Sequence, residues 1–186
     1  MKLLIASDIH GDINSATAVV NAYKNSGADR LVLLGDLLYH GPRNDLPEGY
    51  APKEVISLLN SVKDCILAVR GNCDTEVDQM VLDFPILAEY ALVECEGLRL
   101  FLTHGHRYNT DNPPPLRKGD VLLHGHTHVS VARKFGNENI YINPGSVAIP
   151  KENTPKGYII YQSGKQHEFV FKKLDGTVYD KITVGN

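Results

Sequence analysis

The chain has 186 residues, of which 42% are hydrophobic and 22% are charged, and its formal net charge is −3. This composition is typical of a globular protein, and the length fits a single domain over residues 1–186. The charge balance excludes the basic face that nucleic-acid binding needs, and the apolar run before Asp8 is too short for a signal peptide or a membrane span. Three cysteines without a C-x-x-C pair favour a reducing compartment. We expect a cytoplasmic protein with no nucleic-acid or membrane partner.

In the first half of the chain, short apolar segments alternate with helical patterns. Continuous apolar runs predict strands that are covered on both faces, and apolar residues at helical spacing predict helices between them. Asn14 is the expected cap of the first helix, Gly27 its expected stop, and Pro52 precedes the second. The predicted strands are 2–7, 30–34 and 65–69, and the predicted helices are 14–26, 53–62 and 75–82.

In the second half, the pattern changes to short strands and turns. Glu96-Gly97 and Ser163-Gly164 are typical of hairpin turns. The predicted strands are 89–95, 98–102, 120–123, 139–142, 158–161, 168–172 and 178–184. The whole pattern therefore indicates an α/β protein with a βαβ-like first half and a largely β second half.

Metal-binding residue types follow five of these strands. In an open α/β sheet, ligands bind in the crevice beyond the carboxyl ends of the strands. Each residue alone has a structural explanation, for example a helix cap for Asp36 or a turn for Asn72. Their joint occurrence after five strands indicates one metal site, whose candidate ligands are Asp8, His10, Asp36, Asn72, His104, His126 and His128.

The spacing and number of these candidate ligands predict more than one metal ion. Asp8 and His10 stand two residues apart, as do His126 and His128, so in extended backbone each pair would project to one side. Three oxygen donors and four imidazoles are too many for one ion with open positions, and they suit two ions that share a carboxylate. Mixed nitrogen and oxygen ligation without sulfur suits manganese, iron, zinc, cobalt or nickel.

Five motifs in this order resemble those of the calcineurin-like metallophosphoesterase superfamily. They are D-x-H at 8–10, G-D at 35–36, G-N at 71–72, His104, and G-H-x-H at 125–128. The stretches HGPRNDLPEGYAP (40–52), RGNCDTEVDQM (70–80), LFLTHGH (100–106) and INPGS (142–146) are similar to the small YfcE-type phosphodiesterases of that superfamily. The resemblance covers nearly the whole chain and is weakest after residue 155.

The resemblance implies a four-layer α/β/β/α sandwich and a metal-dependent phosphodiesterase. One metal would be held by Asp8, His10 and His128, the other by Asn72, His104 and His126, with Asp36 bridging them. Asp36, Asn72 and His104 are thereby predicted to be catalytic. A hydroxide between the two divalent ions would attack the phosphorus of a small phosphodiester. Mn²⁺ is the metal that we expect, with Zn²⁺, Fe²⁺, Ni²⁺ or Co²⁺ as alternatives.

One position departs from the wider superfamily. Many members have a histidine after the G-N asparagine, where it acts on the leaving group, and this chain has Cys73. An ordinary thiol is a poor substitute for an imidazolium as a proton donor. We predict that Cys73, His40 and Arg43 contact the substrate, with the Arg43 guanidinium on a phosphate oxygen. His106 and His124 are expected to support the site, and His167 to be exposed to solvent.

Two other functions stay open at this point. Within enzymes of this fold, the alternative is a phosphomonoesterase or a nucleotide hydrolase. The alternative of another class is a scaffold that has kept the fold and lost the chemistry, as in the retromer-type member of the family. A chain of that kind would have lost some ligands, whereas all seven positions here hold residues that can bind metal. The sequence leaves a homo-oligomer open.

Overall fold

The computed structural model describes residues 1–136 and 138–185, which form two β-sheets and three α-helices. No helix within these residues is long and apolar enough to cross a membrane. The helices are α1 (Ile13–Ser26), α2 (Pro52–Asn60) and α3 (Glu76–Gln79), with a 3₁₀ turn at Lys63–Cys65. The strands are β1 (Lys2–Ala6), β2 (Arg30–Leu33), β3 (Ile66–Ala68), β4 (Tyr90–Cys95), β5 (Leu98–Thr103), β6 (Val121–Leu123), β7 (Ser130–Phe135), β8 (Asn139–Pro144), β9 (Gly157–Gln162), β10 (Gln166–Lys173) and β11 (Val178–Gly185).

The first sheet has six strands in the order β11-β10-β9-β1-β2-β3. β1, β2 and β3 are parallel, and α1 and α2 make the two crossovers between them, as predicted from the alternating pattern. The antiparallel strands β9, β10 and β11 extend the sheet on the other side of β1. The carboxyl ends of the three parallel strands therefore lie side by side at one edge.

The second sheet has five strands in the order β4-β5-β6-β8-β7. Its three central strands, β5, β6 and β8, are parallel, and the edge strands β4 and β7 are antiparallel to their neighbours. The carboxyl ends of β5, β6 and β8 therefore lie side by side at one edge of this sheet, as those of β1, β2 and β3 do in the first sheet.

The two sheets pack face to face because the apolar residues of β1 serve two cores. Leu4 and Ala6 pack under the helices, whereas Leu3 and Ile5 face the second sheet. All four are fully or almost fully buried. Burial of each larger side chain contributes roughly 1.5–3 kcal/mol, so the alternation along one strand holds three layers together.

The outer face of the second sheet is covered by a loop, residues 105–119. Tyr108 of this loop packs against Phe101, whose ring stacks on Tyr90 with 4.9 Å between centroids. The Arg99 guanidinium donates to the Pro115 carbonyl from the same face. The predicted sandwich fold is confirmed, and within the described residues its outer layer on this side is loop.

Local predictions differ from the structure at three places. Asp12 caps α1 by accepting from the Asn14 N–H, so the predicted cap is wrong by two residues. Thr75 caps α3 in a capping box with Asp78, and this helix is shorter than the predicted segment 75–82. Strand β7 was not predicted, because its sequence SVARKF lacks a clear apolar alternation.

Candidate metal centre

The candidate ligands meet where the carboxyl ends of the two sheets face each other. Asp8, Asp36 and Asn72 follow β1, β2 and β3, whereas His104 follows β5, and His126 and His128 follow β6. Two contacts join the sheets here. His104 Nδ1 lies 2.7 Å from the Leu34 carbonyl oxygen, and the His126 N–H donates to Asp8 Oδ2 over 3.0 Å.

The backbone is left-handed at five of the seven candidate ligands, which corrects the assumption of extended backbone at the pairs Asp8/His10 and His126/His128. The φ angles are 58° at Asp8, 49° at His10, 55° at Asp36, 67° at His126 and 62° at His128. Non-glycine residues in this region cost of the order of 1–3 kcal/mol each and are concentrated at functional sites. The left-handed residues make tight turns directly after the strands. These turns direct the side chains of the candidate ligands toward one another.

Asp8, His10 and His128 form one buried cluster of donor atoms. The Nε2 atoms of His10 and His128 lie 3.5 Å and 3.2 Å from Asp8 Oδ1, and 3.2 Å from each other. The Nδ1 atoms point away, 2.7 Å from the Tyr39 carbonyl and 2.9 Å from the Ile149 carbonyl. A backbone acceptor at Nδ1 leaves Nε2 free to bind a metal, as is usual for metal-binding histidines.

A second cluster forms around His104. Its Nε2 lies 3.0 Å from Asn72 Oδ1 and 3.4 Å from Asp36 Oδ2, while its Nδ1 lies on the Leu34 carbonyl. The ring of His126 is 5.0 Å from that of His104 between centroids. His126 thus lies beside this cluster, and its neighbour in sequence, His128, belongs to the first.

Asp36 lies between the two clusters. Its Oδ2 is 3.7 Å from His10 Nε2 and 3.4 Å from His104 Nε2, and its Oδ1 accepts from the Cys73 N–H over 2.8 Å. Asp8 Oδ1 is fully buried and has no hydrogen-bond partner among the described residues. A buried carboxylate oxygen without a donor is costly, and a cation between these side chains would satisfy it. The residues fit divalent metal.

The electrostatics of the cluster favours a charged carboxylate at each position. Burial opposes ionisation of Asp8, yet the imidazoles of His10 and His128 beside it hold the pKa of that carboxyl well below its ordinary value. Burial also lowers the pKa of His104, but the hydrogen bond with Asp36 and the charge of Asp8 raise it to about 9. The pKa of His126 is lowered to about 4 by burial and by the charge of His104, so this imidazole is neutral.

Two glycines permit this close approach. A Cβ atom on Gly71 would overlap Asp36 Oδ1, and a Cβ on Gly125 would overlap Ser7 Oγ and press on Asp8 Oδ2. Any side chain at either position must therefore displace a candidate ligand. The glycines of the G-N and G-H-x-H motifs serve the metal centre through the absence of a side chain.

The clusters open into a cavity of about 330 Å³. Arg43 and Cys73 line it, as predicted for substrate contacts, and Lys151, Thr127 and Asn44 line it without having been predicted. Thr127 and Asn44 stand inside two of the quoted sequence stretches, whereas Lys151 lies in a turn without a motif, and only the fold brings it here. A larger cavity of about 600 Å³ between α1 and β10 has no ligand cluster among the described residues, so we place the chemistry in the smaller one.

The predicted substrate residues His40 and Cys73 lie in different surroundings. The His40 ring packs edge-on against Tyr39 and Tyr50, at 4.7 Å and 5.4 Å between centroids, and does not line this cavity. Cys73 is buried, and burial together with the charge of Asp36 raises the pKa of its thiol far above the ordinary value. This thiol keeps its proton at neutral pH.

Supporting residues hold the turns behind the ligands. Asp74 accepts from the backbone N–H groups of Asp36, Leu37 and Gly71, and burial raises the pKa of its carboxyl to about 6. Ser146, in the turn after β8, donates to the Asp8 carbonyl over 2.8 Å.

The other histidines lie around or beyond this shell. His124 is buried under the Tyr141 ring, and half-buried His106 lies beside His104 and His126. The expectation for His167 was wrong, because its ring is fully buried with Nδ1 2.8 Å from the Tyr161 hydroxyl.

Comparison with known proteins assigns the family. Residues 1–166 match the calcineurin-like phosphoesterase superfamily domain. The chain therefore belongs to the calcineurin-like phosphoesterase superfamily and is assigned to the hydrolases.

Two relatives named as phosphodiesterases are similar over most of the chain. Phosphodiesterase YfcE of Escherichia coli strain K12 is 54% identical over 158 residues, which cover 85% of each chain. Phosphodiesterase MJ0936 of Methanocaldococcus jannaschii is 24% identical over 153 residues, which cover 78% of this chain and 83% of that protein.

Solved structures show the same architecture. The structure of YfcE, a phosphoesterase from E. coli, matches with a TM-score of 0.93 at 47% identity, over 100% of both chains. Vacuolar protein sorting 29 from Cryptosporidium parvum matches with a TM-score of 0.67 at 16% identity, over 100% of this chain and 98% of that one. The second likeness concerns the fold alone.

Proposed function

We propose that the chain is a phosphodiesterase that hydrolyses a small phosphodiester with two divalent metal ions. One observation carries this proposal: the buried Asp36 carboxylate faces His10 on one side and His104 on the other, within 3.7 Å and 3.4 Å. A carboxylate in that place can serve two ions at once. The 54% identity to a protein named phosphodiesterase supports the diester as substrate.

The ligand sets follow the two clusters. Asp8, His10 and His128 would hold one ion, Asn72, His104 and His126 the other, and Asp36 both. When bound, such ions supply a hydroxide nucleophile at neutral pH and neutralise charge on the phosphoryl oxygens. Mn²⁺ is our expectation because oxygen and imidazole donors without sulfur suit it, and Zn²⁺, Fe²⁺, Ni²⁺ and Co²⁺ are the alternatives.

The remaining residues of the cavity would bind and orient the diester. Arg43 and Lys151 supply positive charge at its wall, and the planar guanidinium can donate two hydrogen bonds to phosphoryl oxygens. His40 does not line the cavity, and it would support the site indirectly. Its ring packs on Tyr39, and the Tyr39 carbonyl contacts His10. The Cys73 thiol, with its raised pKa, is a poor general acid for the leaving group at neutral pH. The favoured substrates are therefore diesters whose alcohol leaves without a proton.

The test is a matrix of metals against substrates. Metal-free protein is loaded separately with each of the five ions. Each form is then assayed with a p-nitrophenyl diester, a p-nitrophenyl monoester and a nucleotide, and the release of p-nitrophenol or phosphate is measured. We expect diester hydrolysis to exceed monoester hydrolysis at least about tenfold in kcat/KM, and about two ions per chain by elemental analysis.

Each alternative has its own result in this matrix. Faster hydrolysis of the monoester or of the nucleotide would show that this compound, and not a diester, represents the substrate class. Full metal occupancy without hydrolysis of any substrate would indicate a scaffold. Saturation at one Mn²⁺ per chain would contradict the two-ion proposal even if diesters are cleaved.

A further inference from the structure

An apolar groove borders the metal centre and is not used by the proposed chemistry. It has a volume of about 380 Å³ and lies between the turn after β2, the start of α2, and α3. Its walls are mostly aliphatic and aromatic, and they include Leu38, Tyr39, Tyr50, Ile56, Val77 and Val81. Val77 is 70% exposed and Val81 44% exposed, so this apolar surface faces solvent.

Two residues border both the groove and the metal centre. The Cys73 side chain lines both the groove and the cavity of the candidate ligands, while its N–H binds Asp36 Oδ1. The Tyr39 ring lines the groove, while its carbonyl lies 2.7 Å from His10 Nδ1. A substituent on a phosphorus atom at the metal centre would thus lie next to Cys73, at the border of the groove.

The size and lining of the groove indicate what it can hold. Pockets of about 300–1,000 Å³ with mainly hydrophobic and aromatic walls accommodate small organic groups. Tyr39 and Tyr50 can pack against a flat ring, and the aliphatic side of the groove can cover its edge. The charged side chains in its lining, Lys53 and Asp78, are one of each sign, so the groove itself attracts no net charge.

We propose that this groove is a specificity subsite that receives an aromatic ester substituent of the diester, and that Val77 and Val81 set the preference. The inference rests on the proposed function, since it places the phosphoryl group at the metal centre. It narrows the substrate class to diesters with at least one flat apolar substituent. A diester with two short alkyl groups would leave the groove exposed to water.

The test measures direct binding of two phosphonates to the full chain loaded with Mn²⁺. Methylphosphonate reports on the metal centre alone, and naphthylmethylphosphonate adds one ring system for the groove. Calorimetric titration should give a Kd about tenfold or more lower for the naphthyl compound, because burial of one ring face is sufficient for that change. In the double variant Val77→Asn, Val81→Asn, this ratio should fall below about threefold, with methylphosphonate binding unchanged.

Val178→Asn is the matched control, because Val178 is also exposed, at 53%, and lies in β11 outside the groove lining. It should keep the wild-type ratio. Equal binding of the two phosphonates to wild-type protein would overturn the subsite. An unchanged ratio in the double variant, together with a shift from oligomer to monomer in sedimentation, would assign the groove to a second copy of the chain instead.

Failure of the proposed function would look different. Methylphosphonate would then bind to none of these proteins, with or without Mn²⁺. If the groove nevertheless binds aromatic groups, the naphthyl compound would still bind, with the same Kd in the presence and absence of metal. Loss of both compounds in wild type would overturn both proposals.

Discussion

Asp36 is the residue on which the proposed two-ion arrangement depends, because its Oδ2 faces both ligand clusters. Asp36→Asn keeps the acceptor for the Cys73 N–H and removes the negative charge. We expect the affinity of both metal sites to fall at least about tenfold, since each loses a charged ligand. His128→Ala removes an imidazole from one cluster only, and should weaken one site by a similar factor and the other by less than about threefold.

Metal titration of the two variants, followed by calorimetry and elemental analysis, separates these cases. The wild-type protein and an exposed-site variant such as Asp83→Asn serve as controls, because the Asp83 carboxylate is exposed and forms a surface ion pair with Lys63. Equal partial losses at both sites in the two variants would show that Asp36 is not shared.

The proposed function gives Cys73 no part in protonating the leaving group. Its buried, protonated thiol cannot supply a proton readily, so rates in wild type should depend steeply on the pKa of the leaving alcohol. Aryl diesters with acidic phenols should react orders of magnitude faster than alkyl diesters. Cys73→His should flatten this dependence, although Asp74 cannot orient the new ring because three backbone N–H groups occupy its oxygens.

The measurement is a series of aryl diesters assayed with wild type, Cys73→His and Cys73→Ala. The alanine variant controls for space, and its dependence should stay as steep as in wild type. A shallow dependence in wild type would mean that another group, with His106 or His40 as the candidates, already donates the proton.

At the scale of elements, the turns after β2 and β3 are held together by one carboxylate. Asp74 is almost completely buried and accepts from Asp36, Leu37 and Gly71 over 2.7–2.9 Å. Asp74→Asn would turn an amide NH₂ toward at least one of these donors. We expect a loss of about 1–3 kcal/mol in the free energy of unfolding, the usual cost of a buried group left unsatisfied.

Urea denaturation of metal-free protein measures this loss without contribution from bound ions. Asp83→Asn, at an exposed carboxylate, should change the free energy by less than about 1 kcal/mol. A similar small change in Asp74→Asn would show that the turns are held by their own geometry.

Elements could be predicted where the residues of the element itself determine its structure, and not where contacts with distant parts of the chain do. Strands β1 and β2 and helix α1 were predicted within about two residues because apolar periodicity and a terminal Gly27 define them. The turns were not, since φ near 60° at Asp8 and Asp36 is imposed by contacts across the two sheets. Strand β7 pairs with β8 at a sheet edge, and its exposed sequence carries little pattern.

At the scale of the molecule, the metal centre exists only where two sheets meet. The seven candidate ligands could be predicted because each directly follows a strand, and parallel strands align their carboxyl ends. Lys151 and the apolar groove could not, because they come from loops and short helices whose positions only the assembled fold determines. The proposed substrate contacts therefore lie in parts of the chain with weak sequence signals, while the candidate metal ligands lie in parts with strong ones.

The buried charge at this junction couples metal binding, pH and stability. The pKa of His104 is raised from 6.5 to about 9 in the folded protein, chiefly by Asp36 against the opposing effect of burial. A raised pKa stabilises metal-free protein fully below pH 6.5, and this contribution is lost as pH rises through about 9. Its size is on the order of 3 kcal/mol.

Metal binding has the opposite pH dependence, because an ion at His104 must displace that proton. Affinity should rise by up to about tenfold per pH unit over the same window. We therefore predict that the gap in Tm between Mn²⁺-loaded and metal-free protein widens steadily from pH 6.5 to 9. Scanning calorimetry at constant ionic strength measures it, and in His104→Gln, which has lost this proton, the gap should widen less than in wild type. A constant gap in wild type would mean that His104 is neutral in the folded metal-free protein. Its contact with Asp36 would then not be an ion pair.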